Sequence, residues 1–150
     1  MSIGLVDTNV LLRHILGDHH DHSPRAKAFV TRLERGELVA TLADTVVFET
    51  VFVLESFNKL PRAVIRDGVL PIVLLPGIVL AGKQIYRRVF DWYVDHRRLS
   101  FADCYHAALV ERQRLPAIIS FDQDYDRLPE VRRIEPDEPA AANGQRAQSI

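Results

Sequence analysis

The chain has 150 residues, 47% hydrophobic and 26% charged, with 19 basic and 20 acidic side chains and a formal net charge of −1. That length suits one domain whose core needs no staples. The near-neutral balance excludes a protein that grips nucleic acid by bulk charge, and the single cysteine, Cys104, excludes an internal disulfide framework and suits a reducing, cytoplasmic compartment.

Met1-Ser2 leads almost directly into an apolar segment, so no secretory leader is expected. Ser2–Val6 has no alternation and reads as a buried parallel strand. Asp7-Thr8-Asn9 follows, then a helix over Val10–Leu16 that Gly17 can end. After the polar loop Asp18–His22, Ser23-Pro24 reads as a helix start, with Ser as cap and Pro in the first turn, and the helix runs to Gly36. Leu38–Thr41 is a second strand. Asp44–Phe57 is so apolar that it reads as a buried helix. Pro61–Leu75 is a helix interrupted by Gly68 and Pro71, and Gly77–Leu80 a short strand. Pro71 and Pro76 also break the only long apolar run, so no membrane span is expected. Lys83–His96 is an amphipathic helix with Ile85, Val89, Trp92 and Tyr93 on one side, and Ser100–Leu115 is another helix. Ala117–Ser120 is an apolar strand, Asp122–Leu128 a turn, and Val131–Ile134 an edge strand. From Pro136 the chain is rich in Pro, Ala and Gln without periodicity and reads as a disordered tail, leaving residues 1–135 as the folded domain. Strands alternating with helices predict an α/β fold with a mostly parallel sheet.

Four acidic residues are placed where chemistry would want them. Asp7 and Asp122 follow predicted strands, and ligands of open α/β sheets bind beyond the carboxyl ends of strands. Asp103 lies in the first turn of a helix, and Glu49 lies inside the most hydrophobic one. Plain structural roles compete: Asp7 and Asp122 can cap the elements that follow them, and Ser100-Phe-Ala-Asp103 has the form of a capping box. Glu49 is mid-helix, so no cap explains it; a buried carboxylate there needs a partner, and a bound cation would supply one. Two carboxylates about 4 Å apart repel by about 4 kcal/mol at an effective dielectric of 20, so acids gathered at one point need a cation between them. Oxygen-only ligands select Mg²⁺ or Mn²⁺ over zinc, and water held by such an ion can attack a phosphodiester. The residues alone thus reach an acidic metal site in an α/β domain and name no substrate.

The motifs around these acids resemble the PIN-domain family, and within it the VapC-type toxins of bacterial toxin–antitoxin pairs. Val6-Asp7-Thr8-Asn9-Val10-Leu11-Leu12-Arg13 resembles the family's opening, Phe48-Glu49-Thr50-Val51-Phe52-Val53-Leu54 its second acidic segment, Leu99–Leu109 its third, and Ile119-Ser120-Phe121-Asp122-Gln123-Asp124-Tyr125 its closing T-x-D-x-D-F pattern. Ser120 stands for the usual Thr and Tyr125 for the usual Phe. The resemblance covers about residues 3–135. It implies a three-layer sandwich with a central sheet of four or five mostly parallel strands, Mg²⁺- or Mn²⁺-dependent endonucleolytic cleavage of RNA, a homodimer, and inhibition by a VapB-type antitoxin. It implies Asp7, Glu49, Asp103 and Asp122 as metal-binding and catalytic carboxylates, with Asp124 joining or replacing Asp122. Thr8, Asn9 and Ser120 would orient them. Apart from the resemblance, Arg13 offers either a contact to substrate or partner or a plain surface ion pair.

Other features weigh less. His14, His19, His20 and His22 fit no zinc spacing and read as a solvated loop. His106, one turn after Asp103, reads as a core or supporting histidine, and Cys104 as buried filler. Arginine outnumbers lysine, of which there are three (Lys27, Lys59, Lys83); the bias offers bidentate phosphate contacts but also follows from genome composition. Rival readings are a catalytically inactive RNA- or protein-binding module of the same fold, and a metal-dependent phosphatase or DNA nuclease using the same acids. A phosphoryl-transfer receiver domain needs a late lysine that the chain lacks.

Overall fold

The computed structural model describes residues 1–138. Six α-helices alternate with short parallel strand pairs, an α/β arrangement: α1 Thr8–Leu16, α2 His22–Glu34, β1 Ala40–Thr41, α3 Asp44–Phe52, α4 Arg62–Val73, β2 Ile78–Val79, α5 Ile85–Asp95, α6 Phe101–Arg112, β3 Ile118–Ile119 and β4 Arg133–Ile134. No helix among the described residues is long and apolar enough to cross a membrane.

The strand pairing is sparser than the sequence predicts. β1 pairs in parallel with β2, and β3 with β4, as two separate two-stranded sheets rather than one central sheet of four or five strands. The segment Ser2–Val6 joins β1 through a single parallel bridge, Leu5 to Thr41, with Val6 N–H donating to Thr41 O at 2.9 Å. It is not the buried strand its apolar run suggests. Ile3 and Leu5 are exposed and Val6 alone is buried, because this segment lacks a second neighbour to cover it.

The helices follow their sequence signals more closely. Gly17 ends α1 in the left-handed conformation with φ 63°, as expected of a C-terminal glycine. α2 begins one residue before Ser23, and Ser23 is buried, accepting a hydrogen bond from His19 N–H rather than capping the helix. Pro71 is accommodated inside α4. The apolar helix after Asp44 is two elements, α3 and a π-helical turn over Val53–Phe57. Its buried stripe is Val46, Val47, Thr50, Val51 and Leu54, which turns Glu49, Phe52 and Phe57 outward. The expected disordered tail lies mostly outside the described residues; within them Glu138 N–H closes a turn on Glu135 O.

Aromatic packing fixes the start of α6. Phe101 is buried with its ring centroid 5.1 Å from Phe48, 5.0 Å from Phe90 and 5.4 Å from Tyr93, the first and last edge-to-face. Such pairs contribute about 0.5–1.5 kcal/mol each beyond area burial. Helix α5 packs on α6 and α4, and α3 packs on α1 and α6. A bidentate Arg88–Glu111 pair at 2.9 and 2.8 Å ties α5 to α6 on the outside.

The loop between α5 and α6 is held from below by Arg62. Its Nη1 donates to the carbonyls of Tyr93 (2.8 Å), His96 (3.2 Å) and Leu99 (2.8 Å), and its Nε to Glu55 Oε1 at 3.1 Å. The guanidinium lies over the Tyr93 ring at 4.2 Å, and Tyr93 OH donates to Glu55 Oε2 at 2.7 Å. The Arg62 side chain is only 18% exposed, so its removal leaves three carbonyls without their shared donor and Glu55 without its ion-pair partner. Arg62→Met is expected to cost about 2–4 kcal/mol and to lower Tm by about 6–12 °C. A thermal melt measures this, and an unchanged Tm would contradict the role given to Arg62.

Candidate active site

Asp103 is the best-defined acid. Ser100 caps α6 in a complete capping box: Asp103 N–H donates to Ser100 Oγ at 3.1 Å and Ser100 N–H donates to Asp103 Oδ2 at 2.9 Å. The other carboxylate oxygen, Oδ1, accepts from Tyr125 OH at 3.1 Å. The carboxylate is thus fixed from both sides.

Tyr125 comes from the 3₁₀ turn Gln123–Arg127 after β3, so this bond ties α6 to the segment carrying Asp122. Ser120 Oγ accepts from Asp122 N–H at 3.0 Å, and Asp122 Oδ1 accepts from Asp124 N–H at 2.9 Å, capping the turn. The Tyr125 hydroxyl is held well above the usual phenol range, first by burial and then by the charge and hydrogen bond of Asp103, with Asp122 adding to it. Asp103 and Asp122 therefore share one neighbourhood around Tyr125.

Asp124 lies in that neighbourhood but is engaged elsewhere: its Oδ1 is 3.4 Å from Arg127 Nε and 4.0 Å from Arg98 Nη1.

Asp7 sits at the N-cap of α1 with extended backbone, yet its side chain makes no capping hydrogen bond. Next to it, Thr8 is buried and its Oγ1 has no hydrogen-bond partner. Asp7 and Asn9 also line a cleft of about 550 Å³ between the N-terminal segment, α1 and α2, whose walls include Leu5, Arg13 and Phe29. Arg13 reaches toward Asp18 at 3.6 Å.

Glu49 corrects the sequence reading. It is exposed, facing away from the buried stripe of α3, so burial creates no demand for a cation there. Val46, Val47, Thr50 and Val51 satisfy the periodicity without Glu49. Glu49 still lies beside Phe48, whose ring packs on Phe101 at the start of the Asp103 helix. His106 is likewise exposed rather than a core residue.

Among the described residues, no three His, Cys, Asp or Glu side chains converge closely enough to form a ready metal cage. The structure brings Asp103 and Asp122 together and leaves Asp7 and Glu49 on neighbouring helices that pack against each other. The donors nevertheless suit a hard cation. All are oxygen, Asp7 is free of capping duty, and the unpaired Thr8 hydroxyl stands beside it. Mg²⁺ is characteristically held by one or two carboxylates with water completing its shell, and needs no all-protein cage.

The features that weighed less in the sequence take plain structural roles. Cys104 is fully buried, and burial pushes its thiol up to about 12, so it is no nucleophile at neutral pH. The His19 ring stacks on His20 and His22, and its Nδ1 accepts the backbone N–H groups of Asp21 and His22, ordering the loop. The hydroxyl of Tyr125 and the guanidinium of Arg62 were not found from sequence. For Tyr125 the signal was present, a Tyr where Phe is usual.

Tyr125→Phe deletes one hydrogen bond to a carboxylate without opening a cavity. It should lower stability by about 1–2 kcal/mol in urea unfolding; no change would mean that Asp103 and Tyr125 are not bonded in solution. A second expectation concerns high pH. Cys104, Tyr93 and Tyr125 all hold their protons more tightly when folded, chiefly through burial. The unfolded chain releases them from about pH 9 upward while the folded chain does not, so their contribution is complete below about pH 9 and is lost as pH rises. Urea midpoints should therefore fall between about pH 8.5 and about pH 11, and a flat midpoint would contradict the burial of these groups.

A family model described as the PIN domain matches residues 4–131. No curated protein matches the chain.

Proposed function

Because this chain belongs to the PIN-domain family, a nuclease-like, metal-dependent fold, we propose that it is a Mg²⁺- or Mn²⁺-dependent endoribonuclease and the toxin of a VapBC-type pair. The observation that carries the reading is the doubly hydrogen-bonded Asp103 with Asp122 beside it on the Tyr125 turn. Asp7, whose carboxylate no cap occupies, adds the third acid. In this reading Asp7 and Asp103 hold the ion most directly. Asp122 and Glu49 orient the attacking water or take its proton. Thr8, Asn9 and Ser120 steady the acids, and Ser120 already fixes the backbone of Asp122. The ion, when bound, lowers the pKa of water and offsets charge growing on the phosphate. Asp124, turned toward two arginines, is no ligand in this reading.

The finer features follow from the same reading. Asp7 and Asp122 follow the carboxyl ends of the Ser2–Val6 segment and of β3. The outward Phe52 and Phe57 supply apolar surface for a second copy in a homodimer. The largely apolar cleft beside Asp7, with Arg13 on its wall, suits a VapB-type antitoxin. The setting is cytoplasmic. The lack of a three-acid cage among the described residues favours one alternative, an inactive RNA- or protein-binding module, and one experiment separates the two. Asp7→Asn should fold with an unchanged Tm and lose Mn²⁺-dependent cleavage of single-stranded RNA by about 100-fold or more. Full activity in Asp7→Asn would refute the assignment, and wild-type protein that binds RNA without cutting it would establish the binding module.

A further inference from the structure

Asp124 occupies an acidic position of the closing motif, yet its carboxylate oxygen Oδ1 faces two guanidiniums. Arg127 Nε is 3.4 Å from it, and Arg98 Nη1 is 4.0 Å away, reaching over from the loop between α5 and α6. The arginine side chains are 48% and 68% exposed. Exposed ion pairs of this kind contribute little to stability, and the loop that carries Arg98 is already held by Arg62 through the carbonyls of His96 and Leu99. The trio is therefore not needed to hold the fold. Its position is more telling. Asp124 N–H donates to Asp122 Oδ1, and the next residue, Tyr125, donates to Asp103. Two guanidiniums thus flank the acids, gathered around one oxygen and carrying one net positive charge with Asp124.

From this arrangement we infer that Arg98 and Arg127 form a clamp for the phosphate backbone of single-stranded RNA, and that Asp124 pairs with the two arginines until a phosphate takes its place, instead of ligating metal. The inference rests on the nuclease reading above and extends it to substrate binding. The Asp124 oxygen marks a point that both guanidiniums already reach, and a phosphate oxygen arriving there meets N–H donors suited to it. A near-neutral protein needs such local clustering, because its overall charge gives RNA no purchase. The clamp would hold the strand beside Asp103 and Asp122 without reading its sequence.

The test uses fluorescein-labelled oligouridine, followed by anisotropy in EDTA across a salt series so that nothing is cleaved, together with calorimetric Mn²⁺ titration of the same proteins without RNA. Arg98→Gln/Arg127→Gln should bind about tenfold more weakly at low salt, with the slope of log K against log salt shallower by about 0.7, for the one phosphate no longer neutralised. Its Mn²⁺ affinity should be unchanged. Asp124→Asn should bind oligouridine at least as tightly as wild type and keep its Mn²⁺ affinity. Wild-type RNA affinity and slope in the double variant would overturn the clamp, and loss of Mn²⁺ binding in Asp124→Asn would make Asp124 a ligand. Failure of the nuclease reading has a different signature: wild-type protein that neither binds oligouridine nor takes up Mn²⁺, which would sink both.

Discussion

The anchoring of the α6 N-terminus is the constraint on which the site depends. Three independent devices act on a few residues there. Arg62 gathers the carbonyls of Tyr93, His96 and Leu99, Phe101 locks into an aromatic cluster, and Ser100 and Asp103 close a capping box. Each alone is worth a kilocalorie or a few. Together they leave Asp103 little freedom. A carboxylate so confined has already lost the rotamer entropy that binding a cation would otherwise cost.

From that anchor the remaining acids are placed by progressively weaker links. Tyr125 spans from the turn after β3 to Asp103, so Asp122 is held to α6 through one hydrogen bond and the cap on its own turn. Asp7 depends on α1, which packs on α3, which in turn packs on α6. Glu49 rides on the outer face of α3. The gradient from a fixed acid to a free one suits a site that is completed by its ligands: like charges held rigidly together would destabilise the empty fold.

Much of this was legible in the sequence, and the failures have physical causes. Helices α1, α5 and α6 appeared through periodicity, a C-terminal Gly17 and a Ser-x-x-Asp box, all local signals. The capping roles offered for Asp103 and Asp122 are both present. Glu49 misled because a short, highly apolar helix has enough hydrophobic residues to bury one face and still leave a carboxylate on the other. Ser2–Val6 misled because an apolar run states what a strand would like to bury, not whether a second neighbour arrives. Arg62 was invisible because the three carbonyls it gathers lie more than thirty residues away.

In the proposed function, acids from distant parts of the chain serve a single cation. Paramagnetic broadening of backbone amide NMR signals by substoichiometric Mn²⁺ addresses it without any assay of activity. A shared cation broadens the amides around Asp7, Asp103 and Asp122 together at the same low Mn²⁺ level. Broadening confined to one of these segments, or spread over unrelated surface acids such as Asp21 and Asp67, would contradict it.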